Sequence, residues 1–337
     1  MKKVAVVILN YNGEKFLKQF LPSVISHSPL AEIIVADNAS KDQSISLLKT
    51  MFPSVRLIEL TENHGYAQGY NEALAQVESE YYILLNSDVE VCDNWIEPII
   101  TLMDSDDSIA ACQPKLLDFN KKDTFEYAGA AGGFIDFLGY PFCRGRIFNN
   151  LEIDHGQYND TREVFWATGA CMFVRASTFH EVGGFDGDFF AHMEEIDLCW
   201  RIHLAGYKVF YSAESTVYHV GGGTLHKSNP RKTYLNFRNG LALLYKNHPP
   251  QHLWLNIFMR LVLDGIAGVK FLADGGWQDC LAVIKAHFNF YANFGSWHKK
   301  RKALIRKNGY KYIHPNSIVK AHFLNGIKKF SDLPKSL

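Results

Sequence analysis

The sequence predicts an α/β fold: a mostly parallel sheet with helices on both faces, followed by a helical, basic C-terminal extension. Three observations carry this expectation. Four apolar, β-rich runs alternate with helix-like segments through the first half. Each run stops at a cluster of polar residues. The charge is split: residues 285–337 hold 12 Lys/Arg and one acid, Asp332, leaving 23 bases and 34 acids in the rest of a 337-residue chain of zero formal net charge.

The apolar runs are residues 3–9, 32–36, 55–60 and 81–85, and the helix-like segments are 14–27, 42–51 and 68–77. Continuous apolar strands separated by helices imply a parallel sheet covered on both faces. In such sheets ligands gather at the carboxyl ends of the strands. Residues 118–160 are rich in Gly, Asp, Asn and aromatics and read as an irregular excursion with a hairpin. A strand over 165–175, helices over 176–182 and 195–205, and strands over 208–212 and 216–220 follow. The organisation divides near residue 240, into an α/β unit over 1–240 and a helical, basic extension over 241–337. Residues 253–273 are apolar, but Asn256, Arg260 and Asp264 recur every fourth position. That stripe predicts an amphipathic helix rather than a membrane span. Core or homodimer packing is favoured over an interfacial seat anchored by Trp254, Phe258 and Phe271.

An apolar fraction of 47% excludes a disordered chain. Six scattered cysteines with no CxxC pair read as buried free thiols in a reducing compartment. Two lysines precede an apolar stretch of only six residues, too short for a signal peptide, so it reads as a strand and the protein as cytoplasmic. The basic tail suggests an anionic partner such as the inner face of the cytoplasmic membrane. No nucleic-acid-binding module is present and no nucleic-acid partner is expected.

The chemistry lies in the strand-end clusters. Asn86-Ser87-Asp88 sets a carboxylate where a hard divalent cation could bridge phosphates, although Asn and Asp are also turn formers. Asn10-Tyr11-Asn12-Gly13 ends the first run. Asp37-Asn38 ends the second, where a carboxylate can accept from the imide of uracil or thymine. In Asn63-His64-Gly65-Tyr66-Ala67-Gln68-Gly69-Tyr70-Asn71 the glycines allow close approach to a ligand, and a following helix start would favour anions. Glu194, Glu195 and Asp197 fall near a helix start, where acids also sit for dipole or i,i+4 reasons; the functional reading is a general base. His219 precedes Gly221-Gly222-Gly223 and could complete a metal shell.

Taken together with Thr168-Gly169-Ala170-Cys171 and Gly183-Gly184-Phe185-Asp186, these motifs occur in an order that resembles the family 2 glycosyltransferases, within them the rhamnosyltransferase-like group of bacterial surface polysaccharide synthesis. The likeness covers about residues 3–240. It implies a GT-A fold, a nucleotide diphosphate sugar donor, dTDP- or UDP-linked, a glycan or lipid-linked acceptor, Mg²⁺ or Mn²⁺, and an inverting mechanism. It further implies that Asp88 and His219 hold the metal, His219 alternatively the diphosphate, and that Asp37 meets the nucleobase. The base falls to Glu194 or Glu195, with Glu195 favoured. Asn10, Asn12, Asn38, Asn63, Gly65, Gly69, Asn71, Asn86, Thr168 and Gly169 complete the donor site. Two departures stand out. Asn86 replaces the first Asp of the metal motif, and Glu195 stands where the base is usually Asp, which moves the carboxylate by about an ångström. Two alternatives remain at this point: a non-catalytic scaffold of the same fold, and a nucleotidyltransferase, which would want a basic Gly-rich loop where Asn10-Tyr11-Asn12-Gly13 stands.

Overall fold

The computed structural model describes residues 2–221, 229–307 and 313–334. Gly222 and Gly223 lie outside the described residues. The first half alternates as expected: β1 (Val4–Asn10), α1 (Glu14–Ser26), β2 (Glu32–Asp37), α2 (Ser44–Met51), β3 (Arg56–Glu59), α3 (Gly65–Leu74) and β4 (Tyr81–Asn86). β1 lies between β4 and β2, β3 lies outside β2, and all four strands are parallel. Alternate residues of β1 feed two cores. Val7 packs with Tyr70 of α3. Val6 packs with Leu17 of α1 and Leu47 of α2. Burial on both faces explains why these strands read as unbroken apolar runs.

The chain continues with β5 (Val89–Val91), α4 (Glu97–Ser105), β6 (Ile109–Asp118), β7 (Lys121–Phe125), β8 (Gly133–Asp136), β9 (Pro141–Cys143), β10 (Arg146–Ile147), β11 (Asn150–Leu151), β12 (Thr161–Val164), β13 (Cys171–Arg175), α5 (Ala176–Glu181), α6 (Glu194–Leu204) and β14 (Lys208–His219). The main sheet runs β12-β14-β6-β13-β4-β1-β2-β3, with β5 on β14 and β7 on β6. β13 is antiparallel to both neighbours, so the sheet is mixed.

Several expectations need correction. β6 is a central strand that no apolar run announced. Gln113, Pro114 and Lys115 interrupt its pattern, yet Gln113 and Lys115 are buried. Lys115 is matched by Asp154 at 2.7 Å and by Asn159, and Gln113 accepts from the Thr168 amide at 3.0 Å. The strand expected from residue 165 starts only at Cys171. The two strands expected over 208–220 are one, β14, with a register shift between Ser212 and Thr216. The 118–160 excursion is not irregular: β8 to β11 form a second small sheet, completed by β15 (Ile313–His314) from the C-terminal region, parallel to β8. Gly133 permits this sheet to lie against Trp166, whose ring would stand 2.0 Å from any Cβ there.

The C-terminal region is helical: α7 (Pro230–Asn247), α8 (Leu253–Ala273), α9 (Trp277–Ala292), α10 (Phe294–Ala303) and α11 (Ile318–Phe323). Among the described residues no helix is long and apolar enough to cross a membrane. The polar stripe of α8 is present but points inward. Asn256, Arg260 and Asp264 are buried. Arg260 stacks 3.9 Å from the Tyr140 ring centroid and donates to Asp264 at 2.8 Å and to the Leu138 carbonyl at 3.2 Å. Asp264 also accepts from Tyr140 and faces His287. Trp254, Phe258 and Val269 point outward, 64%, 63% and 67% exposed. The apolar face of α8 therefore does not cover the core, one of the two packings favoured from sequence. Phe271 is partly buried and meets Phe237 of α7.

Replacing Asp264 with Ala strands a buried guanidinium and should cost about 3–5 kcal/mol of unfolding free energy. Phe258→Ser on the outward face should change it by less than about 0.5 kcal/mol. Urea denaturation of both variants checks this inversion.

Candidate active site

The ends of β1, β2 and β4 lie side by side. Asn10 pairs with Asp37, and Leu9 with Asn86. Asn10 donates to Asp37 at 2.9 Å, and the Ser40 amide reaches the other Asp37 oxygen at 2.8 Å. Asp37 is wholly buried. It organises the loop after β2, to which Asn12 is bonded through the Ser40 hydroxyl and the Lys41 amide. Asn38 binds Asn63 at 3.2 Å and the Gly65 carbonyl at 3.0 Å.

α3 begins at Gly65, three residues earlier than expected. Gly65 has φ +76°, and a Cβ there would collide with Phe190 at 2.6 Å. The Phe190 carbonyl accepts from the Tyr66 and Ala67 amides at 2.7 and 3.3 Å. The start of α3 is thus already satisfied and offers no open anion seat. Gly69 admits Asn38 and Leu9 against the helix. Asn71 is absorbed by structure, clamping Phe185 through its amide N–H and carbonyl at 2.9 and 2.8 Å.

Beyond β4 the acidic centre appears. His219 at the end of β14 faces Asp88 at 3.1 Å through Nε2 and Glu126 at 3.3 Å through Nδ1. Asn86 lies 3.5 Å from the same Nε2. Burial pulls the imidazole pKa down, but Glu126 and Asp88 outweigh it and lift it to about 10. Burial raises the Asp88 carboxyl, but His219 more than reverses this and holds it below the ordinary value. Sequence reasoning missed Glu126. It sits in the excursion whose pairing was not legible, and only the β6–β7 turn brings it under β14.

The acids Glu194 and Glu195 open α6 after a turn in which Phe190, His192 and Met193 all have positive φ. Asn239 of α7 holds this turn by donating to the Phe189, Ala191 and His192 carbonyls at 3.0, 2.9 and 2.7 Å. One oxygen each of Glu194 and Glu195 is buried without a hydrogen-bond partner. Burial pushes the Glu195 carboxyl up to about 7, while backbone amides restrain it. Burial and the neighbouring Glu195 push Glu194 well above its ordinary range. Asp197 differs: it is a structural acid, bound to Arg201 at 2.8 Å, Lys246 at 2.8 Å and Asn247 at 2.7 Å.

Contacts tie these clusters together. Tyr66 lies within electrostatic reach of Glu194 and Glu195. Its hydroxyl donates to the Gly169 carbonyl at 2.7 Å. Next in sequence, Ala170 accepts from the Asn86 amide at 2.9 Å, and its own amide binds Thr168 Oγ1 at 3.1 Å. Cys143 of the second sheet is raised first by burial, then by both Glu126 and Glu195. Arg146, another residue not singled out from sequence, is buried, donates to Cys143 Sγ at 3.2 Å and stacks 4.6 Å from the Tyr127 ring centroid.

A profile of glycosyl transferase family 2 matches residues 5–183. The chain belongs to this family. It is 28% identical over 233 residues to an N-acetylglucosaminyl-diphospho-decaprenol L-rhamnosyltransferase of Mycobacterium tuberculosis, covering 64% of this chain and 75% of the relative. It is 27% identical over 218 residues to rhamnosyltransferase WbbL of Escherichia coli, covering 62% and 80%. Solved structures share the GT-A fold. GalNAc-T7 with UDP, GalNAc and Mn²⁺ aligns at TM-score 0.56 and 19% identity over 73% of this chain, which spans 48% of that one. A Pyrobaculum calidifontis mannosyltransferase with GDP-Man and Mn²⁺ aligns at 0.53 and 16% identity, covering 89% and 84%. The family membership decides for a glycosyltransferase over the scaffold and the nucleotidyltransferase.

The fit of a divalent ion can be judged from the donors. Among the described residues no group of three His, Cys, Asp or Glu side chains is arranged to hold a metal. Mg²⁺-type sites need only one or two carboxylates, with water and phosphate oxygens for the rest. Asp88 suits that mode. His219 faces carboxylates through both ring nitrogens, and these lift its pKa to about 10. In that ion-paired form the ring suits a phosphate oxygen as well as the metal shell expected for it.

Removing the Asn239 clamp should loosen the turn before α6 without unfolding the domain. Asn239→Ala should speed amide hydrogen exchange at residues 189–193 by about tenfold or more, the loss of at least one net hydrogen bond. Protection in β1 and β4 should stay unchanged.

Proposed function

We propose that this glycosyltransferase moves a hexose, with rhamnose favoured, from a dTDP- or UDP-linked diphosphate donor to a glycan or lipid-linked acceptor in cell-envelope polysaccharide synthesis. The names of its rhamnosyltransferase relatives support the sugar class. The single observation that carries the mechanism is Glu195, a buried carboxyl at the start of α6, with an unpartnered oxygen and a pKa near 7. A base poised at the working pH is what proton abstraction from a sugar hydroxyl requires.

In this reading the donor lies across the carboxyl ends of β1, β2 and β4. The base rests over Asn12, Asn38 and the loop that Asp37 supports. The diphosphate meets cationic His219, oriented by Glu126. A Mg²⁺ or Mn²⁺ ion held by Asp88 would neutralise charge developing on the leaving phosphate oxygen. Thr168 and Gly169 border the sugar. Glu195 accepts the acceptor's hydroxyl proton as that oxygen bonds to the anomeric carbon, and the bond from that carbon to the diphosphate breaks. One displacement from the opposite face inverts the configuration. Burial and Glu195 hold the neighbouring Glu194 carboxyl well above its ordinary range, which disfavours two adjacent charges.

Donor-dependent nucleotide release across dTDP-, UDP- and GDP-sugars tests this. Glu195→Gln should lower turnover by about 100-fold or more while donor binding by calorimetry stays nearly intact. Asp88→Ala should lose both turnover and the Mg²⁺ dependence of donor binding. Full activity in both variants would place the chemistry elsewhere.

The pH dependence has a definite sign. Glu195 is protonated below about pH 7 and becomes a base above it. The rate should therefore climb as pH rises from 6 to 8, and Glu195→Gln should flatten that limb.

A further inference from the structure

The outward face of the α8–α9 hairpin has no counterpart in the catalytic reading. On α8, Trp254, Phe258, Ile266 and Val269 are 60–67% exposed; on α9, Trp277 is 61% and Phe288 71% exposed. Single exposed apolar residues need no explanation, but contiguous apolar faces do. These residues recur at helical spacing on two neighbouring helices joined by the short 274–276 turn, so they form one surface. The pattern is not misfolded amphipathicity, because the polar faces are fully used inside: Asp264 by Arg260, Tyr140 and His287, Asn256 by His248, and Asp279 by Thr233.

We propose that this face is a membrane-docking surface that lies flat in the interface of an anionic lipid bilayer. The charges around it select that occupant. Among the described residues the exposed lysines Lys285 on α9 and Lys299 and Lys302 on α10 carry no ion-pair partner, whereas Asp274 at the hairpin turn is paired with Lys270 at 2.7 Å. α10 starts against the patch, with Phe294 6.3 Å from the Trp254 ring. A second copy of this chain would set like charges against one another, while anionic headgroups would neutralise them. The two tryptophans stand at opposite ends of the hairpin, Trp254 near the start of α8 and Trp277 at the start of α9. Tryptophan favours the headgroup level, and an apolar face combined with basic residues gives the two signals that stable peripheral binding needs. The surface is also mechanically linked to the catalytic turn. α7 packs against α9, with Thr233 on Asp279 at 2.5 Å, and from its own side Asn239 holds residues 189–192.

Flotation of the full chain with vesicles tests this, independently of any sugar chemistry. Binding is expected to vesicles of phosphatidylcholine with phosphatidylglycerol, to weaken on pure phosphatidylcholine, and to fall with added salt. Phe258→Ser/Ile266→Ser/Phe288→Ser should weaken it about tenfold or more, as should Lys299→Glu/Lys302→Glu. Unchanged thermal melting of both variants shows that the fold is intact. Absence of vesicle binding by the parent chain overturns the proposal. So does a stable dimer by sedimentation that the serine variant converts to monomer, which would assign the face to a second copy.

Discussion

Lys246 is the point on which the two halves of this enzyme meet. Its ammonium group is buried between Asp186, 2.6 Å away, and Asp197, 2.8 Å away. Asp186 belongs to the turn before residues 187–193, Asp197 to α6, and Lys246 to the end of α7. Arg201 supplies a second cation on Asp197, and Lys300 of α10 a further one on Asp186. Burying these charges is favourable only while every partner is present. The arrangement therefore makes the position of α6 conditional on α7 and α10 being docked. The C-terminal helices are structurally required by the site and are not a separate appendage to it.

Two acids two residues apart on α6 show how the same residue class serves opposite ends. Asp197 is fully paired, and Lys246 and Arg201 hold its carboxyl low against the upward push of burial. Glu195 is partly buried, with one oxygen enclosed and no cation beside it, so burial prevails and its carboxyl rises to about 7. Phe190, His192 and Met193, with φ of 63°, 70° and 72°, bend the chain so that both acids enter the helix where they do. Left-handed backbone at non-glycine residues is costly and persists only where surrounding contacts impose it. Here α7, through Asn239, imposes it. At the other edge of the site, His219 is held by two carboxylates. The site therefore combines a histidine held between carboxylates at one edge with an acid whose ionisation burial disfavours at the other.

Much of the fold was legible because a parallel sheet announces itself. β1, β2 and β4 are buried on both faces, so their sequences are unbroken apolar runs, and each ends in the polar residues that face the crevice. Asp88, His219, Glu194 and Glu195 were legible for the same reason, being acids and a histidine at element ends. β6 was not, since its Gln113 and Lys115 are satisfied by Thr168, Asp154 and Asn159 from distant parts of the chain. Glu126 was not, since it follows a short strand that only pairing with β6 brings under β14, and Arg146 was not, since it sits in a two-residue strand paired with β9 and β11.

The sequence by itself determined the strand–helix alternation, the strand-end loops that gather at one crevice, and the family, because those features are local in pattern or in motif order. Only tertiary structure decided which atoms remained available. It closed Asp37 beneath Asn10 and Ser40, and occupied the start of α3 with the Phe190 carbonyl. It made His219 a cation between two carboxylates. It turned the polar stripe of α8 inward and the apolar side outward. Each of these depends on what a side chain meets across a long stretch of chain, and periodicity cannot say whether a polar face looks toward water or toward a buried partner of opposite charge.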